Sequence, residues 1–537
     1  MNFQRESGTI ARLVFLGGCA LVFALSSATA AEKKNDRPRE LKPSPDGKSD
    51  QAEKKESDAP DPRPNLVFIL ADDMAWDDSE PYGNDGIRTP NLRRLASEGM
   101  RFDQAFLTIS SCSPSRASII TGRYPHNTGA EELHWPVPGS QVTFVEKLKE
   151  AGYWTAAAGK WHLGDEIRDR FDEIREVDTS GFQLPTGKDG EAGKFQESLE
   201  GDAQSGCADW VPLLKDRPKD RPFFVWLAAL DPHRDYHQGA IPDPHRPEDV
   251  HLAPYHPDTP EIRADYGLYY DEISRLDRFV GKVLEELKNQ KILDKTLILF
   301  ISDNGRPFPR DKTTLYDSGI RTPWIVRWPG KVEAGSVCGR LVSSIDIGPT
   351  FLAAAGLVEK IDSFEGRSFL PLLENPEAAI REFVFAEKNW HDFEDHARAV
   401  RNERYKYIRN AYEDLPLTPP ADAVRSPTYE AMVKLNRENR LLPHQRACFT
   451  EPRPREELYD TIADPYELHN LATDGQHEVV LETLREVLDA WERRTGDTTP
   501  DLRTADEFDR ETGKPTAARI RPRWSRERMV KAGLAAP

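Results

Sequence analysis

Four short apolar runs constrain this chain more than any other feature. Each is continuous rather than alternating, and each ends on a cluster of polar residues. They occupy residues 65–70, 154–158, 223–230 and 297–301. A strand that is apolar on both faces must be covered on both faces, which marks a parallel sheet between helical layers. Helical patterns fill the intervals. Thr89 offers an N-cap and Pro90 a first helical residue, with Leu92, Leu95 and Ala96 behind them. Residues 264–288 set Tyr266, Leu268, Ile273, Leu276, Val280, Val283 and Leu287 at helical spacing. Strands alternating with helices predict an α/β fold with a central, mostly parallel sheet.

The polar ends of these runs carry the chemistry. The first ends in Asp72-Asp73, and the second in Gly159-Lys160-Trp161-His162. The third runs into Asp231-Pro232-His233 and the fourth into Asp303-Asn304. Open α/β sheets bind ligands outside the carboxyl ends of their strands, so these residues are expected along one edge. Asp72, Asp73, Asp303 and Asn304 all offer oxygen, the donor suited to a hard cation. Ca²⁺ tolerates irregular coordination by carboxylates and an amide, and is expected ahead of Mg²⁺.

The two ends of the chain read differently from its middle. Arg5 and Arg12 precede an apolar stretch over 13–25, and Ala28-Thr29-Ala30 offers a small-residue cleavage site. This predicts an export signal over 1–30 and a periplasmic or secreted protein, the stretch being too short to span a bilayer. Leu16-Gly17-Gly18-Cys19 loosely resembles a lipoprotein signal, but the apolar stretch continues past Cys19. Residues 31–62 hold almost nothing apolar and predict a disordered linker. A large domain is expected over 63–380, and a smaller α+β domain over 381–500. In the latter, 399–408 reads as a strand pair or bent strand, 457–459 as a strand and 479–491 as an amphipathic helix. Residues 501–537 predict an extended tail. The net charge of -18 argues against a nucleic-acid partner.

Five cysteines are present, Cys19, Cys112, Cys207, Cys338 and Cys448, with no CxxC spacing for zinc or redox chemistry. Cys112 stands in Ser111-Cys112-Ser113-Pro114-Ser115-Arg116, followed by Thr121-Gly122-Arg123. Read alone, it is a buried thiol beside a turn or a direct cysteine nucleophile wanting a histidine base.

The Cys-x-Pro-Ser-Arg run followed by Thr-Gly-Arg resembles the signature of the formylglycine-dependent sulfatases. The likeness extends over 65–73, 159–164, 231–233, 302–305 and 312–319. It implies an alkaline-phosphatase-like sandwich and oxidation of Cys112 to formylglycine by a sulfatase-maturing enzyme. The hydrated aldehyde would attack sulfur beside the cation, then expel sulfate by elimination. By the same resemblance Cys112 joins Asp72, Asp73, Asp303 and Asn304 around the metal, and Arg116 holds the Asp303 region. Lys160 and Lys312 would bind sulfate oxygens, His162 would assist as base, and His233 would lie near the leaving group.

Asp220-Arg221-Pro222-Phe223-Phe224, Pro307-Phe308-Pro309, Ser426-Pro427-Thr428-Tyr429 and Asn470-Leu471-Ala472-Thr473-Asp474 resemble the N-sulfoglucosamine sulfohydrolases. Residues 315–323 look more like the O-sulfatases. The expected partner is therefore a sulfated saccharide, with the sulfate on nitrogen or oxygen left open. Two other readings stand beside it: a phosphonate or phosphodiester hydrolase, and a glycan-binding protein whose Cys112 stays a thiol. His134, Arg234, His391 and Arg398 are expected to bind the sugar, as residues of loops facing the pocket.

Overall fold

The computed structural model describes residues 61–177, 201–357 and 361–520. The expected signal and nearly all of the linker lie outside them. Among the described residues no helix is long and apolar enough to cross a membrane.

The larger sheet body contains β1 (Asn65–Ala71), β2 (Met100–Phe102), β3 (Ala105–Phe106), β4 (Trp154–Gly159) and β5 (Glu173–Glu176). It continues with β6 (Phe223–Ala228), β7 (Thr296–Ser302), β8 (Trp324–Arg327), β9 (Ser336–Cys338) and β10 (Val342–Ser343). Eight of these form one sheet in the order β5-β4-β6-β1-β7-β8-β2-β9. The five strands from β5 to β7 are mutually parallel, whereas β8 is antiparallel to both β7 and β2. The sheet is thus mixed but mostly parallel, as the unbroken apolar runs require.

The pleat of β1 shows why both faces had to be apolar. Leu66, Phe68 and Leu70 share a core with Phe144 and Leu148 of helix Phe144–Glu150 and with Phe351 of helix Ile347–Ala354. Val67 and Ile69 face the opposite core, with Leu92 and Leu95 of helix Pro90–Ser97 and Ile273, Leu276 and Val280 of helix Pro260–Asn289. Each such side chain contributes about 1.5–3 kcal/mol through burial. Thr89 stands at the expected N-cap position, yet its hydroxyl accepts from the Glu80 amide (2.9 Å) rather than capping the helix.

The C-terminal sheet is antiparallel, in the order β11 (Val384–Lys388), β12 (Ala397–Arg401), β13 (Tyr405–Asn410), β14 (Glu456–Asp460). The strand pair expected near 399–408 is the β12-β13 hairpin. Helix Glu478–Thr495 covers one face, with Trp491 stacked on Phe385 at 5.0 Å between centroids. Ala386, Ala399 and Ile408 on the other face share a core with Phe106, Leu315 and Ile320 of the larger sheet body.

The tail expected from residue 501 is not free over its described part. Trp390 Nε1 donates to the Ala505 carbonyl (3.2 Å), the Glu507 amide donates to the Asp392 carbonyl (3.0 Å), and Phe508 is buried. A polar, arginine-rich composition gave no sign of this, because one aromatic and a few backbone bonds suffice to hold the segment.

Candidate active site

Register brings the strand ends together. Ala71 of β1 pairs with Ser302 of β7, so Asp72 and Asp303 follow at the same level. Gly159 of β4 pairs with Ala228 of β6, which sets Lys160 beside the loop carrying His233. Gly159 takes φ 98°, and a Cβ there would stand 1.8 Å from the Ala228 carbonyl oxygen, so only glycine makes this turn. Asp231 does not line the site. It accepts two bonds from Arg275 (2.6 and 2.8 Å) and ties the His233 loop to helix Pro260–Asn289.

Cys112 opens helix Cys112–Thr121, all ten residues of which are buried. The positive end of the helix dipole and its free amides face the same edge of the sheet, a setting that favours an anion. Gly122 closes the helix in the left-handed conformation (φ 62°), which explains the glycine of the Thr-Gly-Arg run.

Around the Cys112 sulfur lie three buried carboxylates and three buried cations. Lys160 Nζ reaches Asp72 Oδ2 (2.5 Å), Lys312 Nζ reaches Asp73 Oδ2 (2.7 Å), and Arg116 Nε reaches Asp303 Oδ2 (2.8 Å). Arg116 also donates to the Lys160 carbonyl (2.9 Å), locking two strand ends to the helix. Asn304 Nδ2 stands 2.9 Å from Asp73 Oδ1, 2.8 Å from Asp303 Oδ1 and 3.3 Å from Cys112 Sγ. An amide with two hydrogens cannot satisfy three acceptors. Asp72 Oδ1 and Asn304 Oδ1 are buried without any hydrogen-bond partner. One ligand atom each from Asp72, Asp73 and Cys112 lies within 4.8 Å of the others. Crowded carboxylates, one of them with an oxygen that lacks a donor, are what a hard cation satisfies.

The electrostatics agree. Burial, reinforced by the neighbouring carboxylates, pushes Asp73 and Asp303 up to about 7. Burial also acts on Asp72, but the Lys160 ammonium prevails and holds it below the usual carboxylate range. Burial pushes the Cys112 thiol up to about 12, against the pull of Lys160 and Lys312.

Histidines form the rim. His162 Nε2 and His134 Nδ1 are 2.7 Å apart, and the His134 amide donates to Ser113 Oγ (2.7 Å). Burial first, then the nearby cationic groups, keeps His162 well below its ordinary value and therefore neutral. His233 Nδ1 contacts the Arg234 carbonyl (2.5 Å), so this nitrogen carries the hydrogen and Nε2 turns toward Asp73 (3.9 Å). Burial and Lys312 lower His233 to about 4. Among the described residues, four of the eight non-glycine residues with left-handed backbone are Asp73, His134, His162 and Thr313, in or beside the site. Such conformations cost energy and concentrate where geometry is imposed by function.

The sugar-binding expectations divide. His134 and His391 do belong to the rim, and His391 Nδ1 contacts Ser111 Oγ (2.7 Å). Arg234 and Arg398 do not present free guanidinium groups. Arg234 makes a two-pronged bond to Asp265 (2.7 and 2.8 Å) and stacks between Tyr236 and Phe308. Arg398 lies on strand β12 rather than in a loop and is paired with Asp497. Both are buried structural clamps, whose partners no local pattern reveals. Conversely, sequence reasoning missed Asp422, from the short helix Ala421–Val424. Its Oδ2 stands 3.8 Å from Lys312 Nζ and 3.9 Å from His233 Nε2. No periodicity marks it, although it precedes the Ser426-Pro427-Thr428-Tyr429 run.

The mostly parallel sheet gathers carboxylates, lysines, histidines and a helix-borne cysteine at its strand ends, and the relatives of this chain make it a hydrolase of sulfuric esters or sulfamates. The chain belongs to the sulfatase family, which it matches over residues 64–357. A second match, over 308–417, is to the C-terminal region of N-sulphoglucosamine sulphohydrolase. The human N-sulphoglucosamine sulphohydrolase is 33% identical over 477 residues, covering 81% of this chain and 90% of its own. An ulvan-active sulfatase of Formosa agariphila is 30% identical over 488 residues, covering 81% of this chain and 76% of its own. Among solved structures, a protein in complex with its substrate D-glucosamine-2-N,6-O-disulfate aligns with TM-score 0.61 at 22% identity, over 82% of this chain and 99% of that one. The phosphonate monoester hydrolase of Agrobacterium radiobacter aligns with TM-score 0.59 at 20% identity, over 86% of this chain and 100% of that one. At such identities the structural likeness speaks for the fold.

Proposed function

We propose that this protein is an exported sulfatase that removes sulfate from a saccharide, with a 2-sulfamino sugar as the favoured substrate and Cys112 converted to formylglycine. One observation carries the reading. Asp72, Asp73 and Cys112 each bring one ligand atom within 4.8 Å of the others, Asp303 joins them through the Asn304 amide (2.8 Å), and Asp72 Oδ1 is buried without a hydrogen-bond partner. The donors are all oxygen apart from position 112, which suits Ca²⁺.

Asp72, Asp73, Asp303 and Asn304 would hold the cation, which supplies charge stabilisation and a lowered hydroxyl pKa next to position 112. Formylglycine there would supply two hydroxyls on one carbon, one to attack sulfur and one to drive release of the sulfate. The side chains around it do the rest. Lys160 and Lys312 flank the pocket and take the sulfate oxygens, helped by the amides at the helix start. Arg116 fixes Asp303. Neutral His162, braced by His134, accepts the proton during sulfate release. His233 faces the leaving group. The preference for an N-linked sulfate is supported by the match at 308–417 and by the human relative. The signal-like residues 1–30 support export.

The test joins mass and activity. In protein exported from a host that matures sulfatases, the peptide bearing Cys112 should lose about 18 Da relative to the thiol. The same protein should release sulfate from N-sulfoglucosamine. An unmodified peptide in active protein would refute the formylglycine assignment. Turnover of phosphodiesters well above that of sulfated sugars would refute the sulfatase reading.

A further inference from the structure

Asp422 is a carboxylate in an unexpected place. The three carboxylates of the cradle are already matched by Lys160, Lys312 and Arg116. A fourth one beside an anion pocket opposes the binding of sulfate and calls for a role. A second cation site at Asp73, His233 and Asp422 is geometrically conceivable. However, the Lys312 ammonium already sits there, 2.7 Å from Asp73 and 3.8 Å from Asp422.

Its position tells which part of a substrate it meets. Cys112 is only 2% exposed at the floor of the site, whereas the Asp422 and His233 side chains are 16% and 14% exposed. Displacement at sulfur in line places the leaving atom opposite the attacking one, hence toward these two residues. Asp422 cannot drift from there, because its helix is pinned by the Ala421 amide donating to Asp392 Oδ2 (2.8 Å).

Resting on the sulfatase reading, we infer that Asp422 selects a leaving nitrogen over a leaving oxygen. A sulfamate carries N–H at the scissile atom and an ester carries none. An ionised carboxylate only accepts hydrogen bonds, so it attracts the first and repels the second. The products sharpen the contrast. Sulfamate and water give an ammonium and sulfate dianion: the S–N pair stays on nitrogen, which gains two protons, and sulfur gains the oxygen of water. Ester and water give an alcohol, sulfate dianion and a released proton. Only the first reaction leaves a cation beside Asp422.

The experiment compares N-sulfoglucosamine with glucosamine 6-O-sulfate in wild type and in Asp422→Asn, reading sulfate release. The ratio of kcat/KM for the N-sulfate to that for the O-sulfate should fall by about tenfold or more, the scale of one charged hydrogen bond. Calorimetry on the Cys112→Ala protein adds a readout without turnover. Glucosamine should bind more tightly than N-acetylglucosamine, and Asp422→Asn should abolish the difference. An equal fall on both substrates, or equal binding of the two sugars, would overturn the inference. A wild type that hydrolyses only O-sulfates overturns it too while leaving the sulfatase reading intact. A wild type that releases no sulfate from any sugar overturns both.

Discussion

Asn304 Nδ2 lies 3.3 Å from the sulfur of Cys112, although 192 residues separate them along the chain. This contact joins the end of β7 to the start of helix Cys112–Thr121. It places the residue that would carry the reaction against the residues that would hold the cation.

Removing one ligand should therefore uncouple the cation from the fold. Ca²⁺ should raise the melting temperature of wild type, because a ligand at 100 times its Kd adds about 2.7 kcal/mol to the native state. Asp303→Ala should lose that rise and at least about a hundredfold in kcat. Calorimetric scans with calcium and with chelator measure the first. An undiminished calcium response in the variant would refute the metal assignment.

His134 should matter to turnover and little to stability. It is exposed, yet its Nδ1 holds His162 Nε2 at 2.7 Å. His134→Ala should lower kcat roughly tenfold to a hundredfold through misplacement of a proton acceptor. The melting temperature should barely move, and added imidazole should restore part of the rate. Wild-type kcat in the variant would remove His134 from the mechanism.

Arg398 should show the reverse. Its side chain and that of Asp497 are 4% and 3% exposed and bonded to each other. Arg398→Ala leaves the buried Asp497 with only His126 (3.9 Å) opposite it and should cost about 3 kcal/mol in denaturant unfolding. The folded fraction should keep a normal KM. A raised KM with unchanged stability would return Arg398 to the list of sugar-binding residues.

His256 makes stability fall in acid. Its Nε2 donates to the Pro309 carbonyl (2.8 Å) while Nδ1 accepts from the Tyr266 hydroxyl (2.7 Å), an arrangement for the neutral ring. Burial lowers its pKa from 6.5 to about 3. Between these values the unfolded chain binds a proton that the native protein refuses. The histidine's contribution is therefore complete above 6.5 and is lost as the pH falls toward 3, by up to about 1.4 kcal/mol per pH unit. Urea unfolding at pH 7, 5.5 and 4.5, on wild type and His256→Asn, isolates this slope. Identical slopes would show that His256 is not buried neutral.

Chain-local features made much of this legible before the fold was known. A doubly covered strand must be apolar throughout, and its polar stop falls on the sheet edge. Asp72, Lys160, His233 and Asp303 could therefore be assigned to one place from four separate segments. Arg234 and Arg398 escape such a reading for the opposite reason. A guanidinium looks the same in sequence whether it meets solvent or Asp265, and its partner is distant in the chain.

By itself the sequence determined the layered α/β core, the cysteine motif at residue 112 and the oxygen-rich character of the strand ends, because these depend on periodicity and on contiguous motifs. Tertiary structure alone decided which charges are spent on each other and which face the pocket. It withdrew Arg234 and Arg398, set His134 behind His162, and brought Asp422 from the C-terminal part to the rim. The physical reason is that burial and pairing, not residue type, fix what a charged group can do, and pairs of this kind form between segments that only folding brings within 4 Å of one another.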